Sequence, residues 1–521
     1  MSRFTRRSLA VTALLLGAGM AGCTDPTESP TSTVTEDNVF KDTRSYRAFL
    51  AKVYAGLAVS GQQGPAGAPD LTNLDEGFSQ YLRLYWEHQE LPTDEAIIGW
   101  GDLGLPELNT QLWGTANGFV STMYNRIFFQ VALANEFMRQ TSDAKLSERN
   151  VSTALRADIQ IFRAEARFLR ALAYWHALDL FGNVPIVTAL TAEPPAQNTR
   201  QEVYDFIVSE LTAIQADLPA ATGAGTYGRA TKEAASMLLA KVYMNAEVYT
   251  GTPQYASAMT AIQAVIAGPH TLDPTYSRIF LADNKTSPEI IFPVIQDGIT
   301  TRTWGGMTFI VHASCGGSMS NTTYGIDGCW WGLRIRPESY NLFGADARGS
   351  YLYTSGQTVA IANVGNFTDG IAAPKFQNVT SGGAPGSNST HVDTDFPMFR
   401  LGDAYLMYAE AFLRGGGGTQ QQALDYVNAL RVRAEGDSST VITAPQLDLN
   451  FILDERAREL LWEGHRRTDL IRYGRFTGNS YIWSWKGGTQ AGVLTDPYRD
   501  LYPIPESQLA ANPNLTQNPG Y

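Results

Sequence analysis

The chain has 521 residues, a formal net charge of −12, and 11% aromatic against only 17% charged side chains, with ten Trp and 24 Tyr. That length accommodates one large or two medium domains around a substantial core. The acidic balance argues against nucleic acid or an anionic bilayer as the main ligand.

At the N-terminus, Arg3, Arg6 and Arg7 precede an apolar run from Leu9 to Met20, closed by Ala21-Gly22-Cys23. About a dozen apolar residues are too few for the hydrocarbon core, which needs roughly 20. Residues 1–22 are therefore expected to be an export signal peptide. Cys23 is expected to be the lipid acceptor of a bacterial lipoprotein, with Met20 where the lipobox usually has Leu. No later stretch is long and uncharged enough to span a membrane, so the anchor is expected to be the lipid alone. The Thr-, Ser- and Pro-rich segment that follows cannot bury enough surface to order itself, and 23–38 is read as a flexible tether.

Residues 39–280 read as an N-terminal helical region and 281–521 as a C-terminal region of the same compact fold. Residues 60–115 carry Gly and Pro with Trp86, Trp100 and Trp113, and read as a loop region. From Ile159, apolar positions recur at Phe162, Ala166, Leu169, Ala173, His176 and Leu180, one face of a helix that Gly182 and Pro185 end. His176 on that face is expected to be a hydrogen-bonded core residue. A second helix opens at Thr231, a natural N-cap, and runs toward Gly251. The string Leu50-Ala-Lys-Val-Tyr54 recurs letter for letter as Leu239-Ala-Lys-Val-Tyr243. Small residues beside a large aromatic are the packing logic of tetratricopeptide-type helix pairs, although no strict period is kept.

Between about 280 and 400 the texture changes. Glu289 to Val294 reads as a short strand, followed by Gly-, Thr-, Ser- and Asn-rich chain with Trp304, Tyr324, Trp330, Trp331, Cys315 and Cys329. With Cys23 lipidated, two cysteines 14 positions apart in an oxidising compartment read as one disulfide, the alternative being two buried thiols. Helices are then expected over Gly402–Phe412, Ala423–Arg433 and Ile452–Tyr473. Across Asp454–Phe476, Asp454 and Glu455 with Arg458, Glu463 with Arg466 and Arg467, and Asp469 with Arg472 stand at i+3 or i+4, so the six arginines are expected to be balanced in cis.

Catalytic and cofactor signatures are weak. Gly223-Ala-Gly-Thr-Tyr-Gly228 matches a dinucleotide fingerprint as a string, but a helix precedes it where a strand is required. The histidines are scattered, the cysteines lack paired zinc spacing, and no Gly-x-Ser-x-Gly occurs. Asp94-Glu95 and Asp393-x-Asp395 are read as solvated or capping pairs rather than glycosidase acids. No cofactor, metal or catalytic residue is assigned from these signatures. The loop tryptophans remain. A sugar ring offers an apolar C–H face and a rim of hydroxyls, which suit an indole with amides or carboxylates nearby.

Several segments then converge on one family. They are Arg163-Ala-Glu-Ala-Arg-Phe-Leu-Arg-Ala-Leu-Ala-Tyr174 with Phe181-Gly-Asn-Val-Pro-Ile186, Arg229 to Ala235, Arg400 to Ala411, Glu455 to Leu470, and Tyr502-Pro-Ile-Pro-Glu506 through Asn512 to Tyr521. Together with the lipobox, the chain resembles the SusD/RagB outer-membrane lipoproteins. The resemblance implies a mainly α fold: a tetratricopeptide-like α-α superhelix scaffold with a long irregular loop-rich face and a few short strands. It also implies a non-enzymatic surface protein that captures oligosaccharides, or in some members peptides, as the lid of a SusC-like TonB-dependent transporter. Segment 93–113 resembles a region that lines the pocket in glycan-binding relatives, which brings Trp100 and Asp102 forward. The ligand-binding candidates are Trp100, Asp102, Trp304, Tyr324, Trp330 and Trp331. A Cys315–Cys329 bridge would hold the last four in a preordered loop, lowering the ordering cost of binding. The rivals are a peptide-binding lid of the same architecture and a lipid-anchored glycosidase.

Overall fold

The computed structural model describes residues 39–521 except 41 and 190–192. The expected signal peptide, the expected lipid acceptor Cys23 and the segment read as a tether lie outside the described residues.

The scaffold is a succession of helix pairs. In the first half run α1 (Thr43–Ala58), α2 (Tyr81–Glu90), β1 (Ile97–Ile98), α3 (Leu105–Thr110), α4 (Gly118–Gln140), α5 (Thr153–Phe181), α6 (Arg200–Ile214), α7 (Lys232–Met244) and α8 (Tyr255–Ile266). In the second half come β2 (Ile290–Val294), α9 (Gly306–Ala313), β3 (Leu333–Arg334), β4 (Phe396–Arg400), α10 (Leu401–Leu413), α11 (Gln420–Glu435), α12 (Leu449–Leu460) and α13 (Arg466–Arg472). Helix α5 packs between α4 and α6, α7 against α8, and α10 against α8, α11 and α12. The antiparallel ladder β1–β3 joins the two halves of the chain, and the ladder β2–β4 closes within the second.

Local chemistry sets the ends. The Ser152 side chain accepts from Leu155 N–H to start α5, and Gly182 at φ 74° stops it. Thr231 caps α7 as expected, accepting from Ala234 N–H. The expected run to Gly251 breaks at Asn245, after which a short helix, Ala246–Thr250, reaches the glycine. Gly223–Gly225 is a single 3₁₀ turn on the way to Thr231, with no strand before it. His176 is fully buried, hydrogen-bonded to Tyr81 Oη at 2.8 Å and stacked on Tyr85.

Three expectations need correction. Trp86 belongs to α2, not a loop, and is fully buried with Nε1 donating to Trp462 O. Asp94 and Glu95 are buried rather than solvated, Asp94 taking a two-pronged bond from Arg466 at 2.7 and 2.6 Å. The helix expected over Ile452–Tyr473 is two helices. The chain leaves helical geometry at Leu461, and Trp462 sits at φ 64°, its indole buried against Glu95 O. That break turns Glu463 away from Arg466 and Arg467 and onto Arg400 (2.6 Å) and Lys375 (2.7 Å). Arg467 reaches Asp179 instead. The cis pairs Glu455–Arg458 and Asp469–Arg472 do form.

Beneath the second half, Arg400 lies between Glu289, Glu459 and Glu463, and Arg348 bonds Glu455 and Glu459, all of them buried. Burial would raise the Glu459 carboxyl, but Arg433, Arg400 and Arg348 hold it well below the usual range.

Candidate functional site

One face of the molecule is built by α2, the 95–104 turn, α9 and the 314–332 segment. Trp304 precedes α9, its backbone N–H donating to the buried Glu76 carboxylate at 2.9 Å. The loop docks closely because Gly77 and Gly305 face each other's segments: a Cβ on Gly77 would lie 2.8 Å from Trp304 Cβ, and one on Gly305 2.4 Å from Gln80 Cβ. After α9, the Cys315–Cys329 disulfide is present. It closes a loop whose return strand is held by Trp330 N–H to His312 O (2.9 Å), Trp331 N–H to Cys315 O (3.0 Å) and Gly332 N–H to Ala313 O (2.9 Å).

This brings three of the predicted tryptophans into a row. The Trp304 and Trp330 ring centroids are 6.2 Å apart with planes tilted by 48°, and Trp330 and Trp100 are 6.4 Å apart with a 43° tilt. Trp304 is 38% exposed, and Trp100 and Trp330 are half-buried. The row is backed by other rings. His312 stacks on Trp330 at 4.6 Å, His391 lies 4.8 Å from Trp304, and Phe309 meets Trp100 edge-on at 5.6 Å. Trp100 Nε1 donates to Trp330 O at 3.1 Å. Burial lowers the pKa of both histidines, so the backing is uncharged near neutrality.

The other candidates are placed differently. Asp102 is exposed on the turn after Trp100. Trp331 is 52% exposed but makes its ring contact with Phe367 rather than the row. Tyr324 is 8% exposed and packs into the core beneath the loop, which leaves little of its ring for a ligand. Asp393 and Asp395 serve the fold: Asp393 accepts from Gly298 N–H, and Asp395 from Gln296 N–H and the Tyr227 hydroxyl. Among the described residues no group of three or more His, Cys, Asp or Glu is placed to hold a metal ion, and no helix is long and apolar enough to cross a membrane.

Sequence reasoning missed Arg83. Its guanidinium lies 3.9 Å from the ring centroids of both Phe78 and Phe309 and 5.6 Å from Trp100, and Nε donates to Glu87 at 2.8 Å. Burial pushes the Glu87 carboxyl up to about 7, against the opposing pull of Arg83. Arg83 Nη2 and Glu87 Oε2 are buried without a hydrogen-bond partner. An arginine inside an aromatic helix gives no local signal, because one of the two rings that cover it, Phe309, comes from α9.

The sequence matches two family descriptions, "SusD family" over residues 327–521 and "Starch-binding associating with outer membrane" over 91–244. It is 36% identical to the starch-binding protein SusD of Bacteroides thetaiotaomicron across 91% of each chain. It is 24% identical to SusD-like protein P2 of Formosa agariphila across 98% of this chain and 99% of that one. Among solved structures, surface glycan-binding protein A of Bacteroides thetaiotaomicron in complex with laminarihexaose superposes with a TM-score of 0.69 at 21% identity. That match covers 91% of this chain and 99% of the other. A laminarin-binding SusD-like protein gives 0.70 at 22% identity, covering 92% of this chain and all of that one. At such identities the superpositions speak for the fold, mostly helical with tetratricopeptide-like pairs. On the sequence match across nearly its whole length, the chain belongs to the SusD family.

Proposed function

We propose that this protein is a glycan-capture subunit of the outer membrane, which binds an α-linked glucan chain on the Trp304–Trp330–Trp100 row and passes it to a SusC-like TonB-dependent transporter as its lid. The observation that carries the reading is the row itself. Three indoles follow one another 6.2 and 6.4 Å apart, each tilted 43–48° from the next. Each indole takes the C–H face of a pyranose, and Asp102 on the rim can accept from its hydroxyls. The starch-binding relative supports an α-glucan as the ligand. The acidic pairs weighed as glycosidase acids are occupied in structural bonds, in keeping with a protein that binds and does not cleave. Lipidation at Cys23 would tether the body to the membrane, with the acidic chain held off its surface.

Titration calorimetry with maltoheptaose and laminarihexaose, on the intact mature protein and on a Trp304→Ala/Trp330→Ala double variant, tests this. The expected result is maltoheptaose binding that the double variant weakens at least thirtyfold. Unchanged binding, or reducing ends released during incubation, would overturn it. Co-purification of a large β-barrel from the native membrane, with palmitate on Cys23, tests the partner and the anchor.

A further inference from the structure

One residue beyond Trp330 the chain turns to a different face. Trp331 has φ 59°, in the left-handed region that favours glycine. The disulfide and the three backbone hydrogen bonds around it fix that conformation. The turn carries its indole away from the row: Trp330 contacts Trp304, Trp100 and His312, whereas Trp331 contacts Phe367 at 5.9 Å. At 52%, the Trp331 indole is more exposed than that of Trp304. The loop behind it is ordered. Asp369 accepts from Asn363 N–H (2.8 Å) and from the Asn366 amide (2.7 Å), and the Arg334 guanidinium, which bonds Val364 O, lies 5.8 Å from the Phe367 ring. Asn363 and Asn366 are exposed on that loop.

We propose that Trp331, backed by Phe367 of the ordered 361–370 loop, is a second pyranose-stacking subsite, separate from the row, that takes a further glycosyl unit of a long or branched glucan already held there. The proposal rests on the glycan reading above and deepens it. A large indole left in water on a rigid, specially turned backbone offers a flat apolar face to the C–H side of a sugar ring. Because Trp330 and Trp331 are consecutive, the two subsites stand at a fixed separation. A chain long enough to reach both binds the second at high effective concentration, whereas a short oligosaccharide does not.

The test compares maltotriose with amylopectin on the full mature protein, by calorimetry and by retardation in polysaccharide-loaded gels. Trp331→Ala is expected to leave maltotriose affinity within twofold of wild type and to weaken amylopectin binding at least tenfold, with Trp331→Phe restoring most of the loss. Unchanged maltotriose binding also certifies that the variant is folded. Trp331→Gln, which keeps bulk without an aromatic face, gives a second arm expected to behave as alanine does. Unchanged amylopectin binding would overturn the second subsite while leaving the row intact. Parallel loss of maltotriose in both the alanine and glutamine variants would also overturn it, by making Trp331 part of one surface with the row. If the wild-type protein binds neither sugar, the glycan reading falls and the subsite with it.

Discussion

Gly332 lies flat against Trp100: a Cβ on the glycine would come within 2.8 Å of the indole Cε2. Gly332 is not in the left-handed region, so alanine there is a purely steric change. Its backbone also joins the two sides of the site, donating to Ala313 O and accepting from Gly99 N–H. Gly332→Ala is expected to push the indole off its bond to Trp330 O, costing about 1–3 kcal/mol of stability as overpacking does. Maltoheptaose affinity is expected to fall about threefold to tenfold. Calorimetry with a thermal melt on the same sample reads both, and an unchanged affinity would show that the position of Trp100 is immaterial.

The Cys315–Cys329 bridge closes a 14-residue separation immediately before Trp330. The loop-entropy account gives such a closure roughly 3 kcal/mol, by restricting the unfolded chain. The double variant Cys315→Ser/Cys329→Ser is expected to melt several degrees lower and to bind maltoheptaose several-fold more weakly, with slower association as the loop must order on binding. Stopped-flow tryptophan fluorescence with and without reductant on the wild type checks the second half. Identical traces would remove the ordering role.

Glu87 gives a pH signature. Its folded pKa, raised by burial from 4.5 to about 7, means the folded protein holds this proton more tightly than the unfolded chain does. The stability it contributes is therefore complete below about pH 4.5 and is lost as pH climbs to about 7. Glu87→Gln keeps an acceptor for Arg83 and does not titrate. The melting temperature of the wild type minus that of Glu87→Gln should fall steadily between pH 5 and pH 8. A difference that is flat across that range would mean Glu87 is ionised throughout.

The repeated string Leu-Ala-Lys-Val-Tyr supplies an internal control. Lys241 is buried and ion-paired to Asp403, with Arg456 on the same carboxylate, whereas Lys52 sits at the surface 3.3 Å from Asp70. Removing one partner of a buried pair costs about 3–5 kcal/mol, and an exposed pair contributes about 0–1 kcal/mol. Lys241→Ala should therefore shift the urea midpoint strongly and Lys52→Ala hardly at all. Equal shifts would contradict the burial of Lys241.

The residues that end helices act locally, so Gly182 and Thr231 could be read in advance. So could the strand at Ile290–Val294, the hydrogen-bonded core role of His176 and the pairing of the two cysteines. What escaped the sequence depends on partners far along the chain. Ile452–Tyr473 has helical charge spacing throughout, yet Arg400 and Lys375 draw Glu463 out of that pattern. Asp94 looks solvated until Arg466, 372 residues away, is brought to it. Trp86, Trp100 and Trp331 are chemically identical letters, and only packing separates the buried one from the half-buried and the exposed. Arg83 was silent for the same reason, since Phe309 covers it from another segment.

The ion-paired frame around Arg400 and Glu459 sits on β4, α11 and α12, whereas the aromatic surfaces hang from the 95–104 turn, the residues before α9 and the 314–332 and 361–370 loops. Rigidity and ligand choice are thus carried by different parts of the chain. Exchanging the exposed rings Trp304 and Trp331, which leaves that frame and the buried Tyr324 and Ile326 untouched, is the route by which the molecule would be retargeted to another polysaccharide.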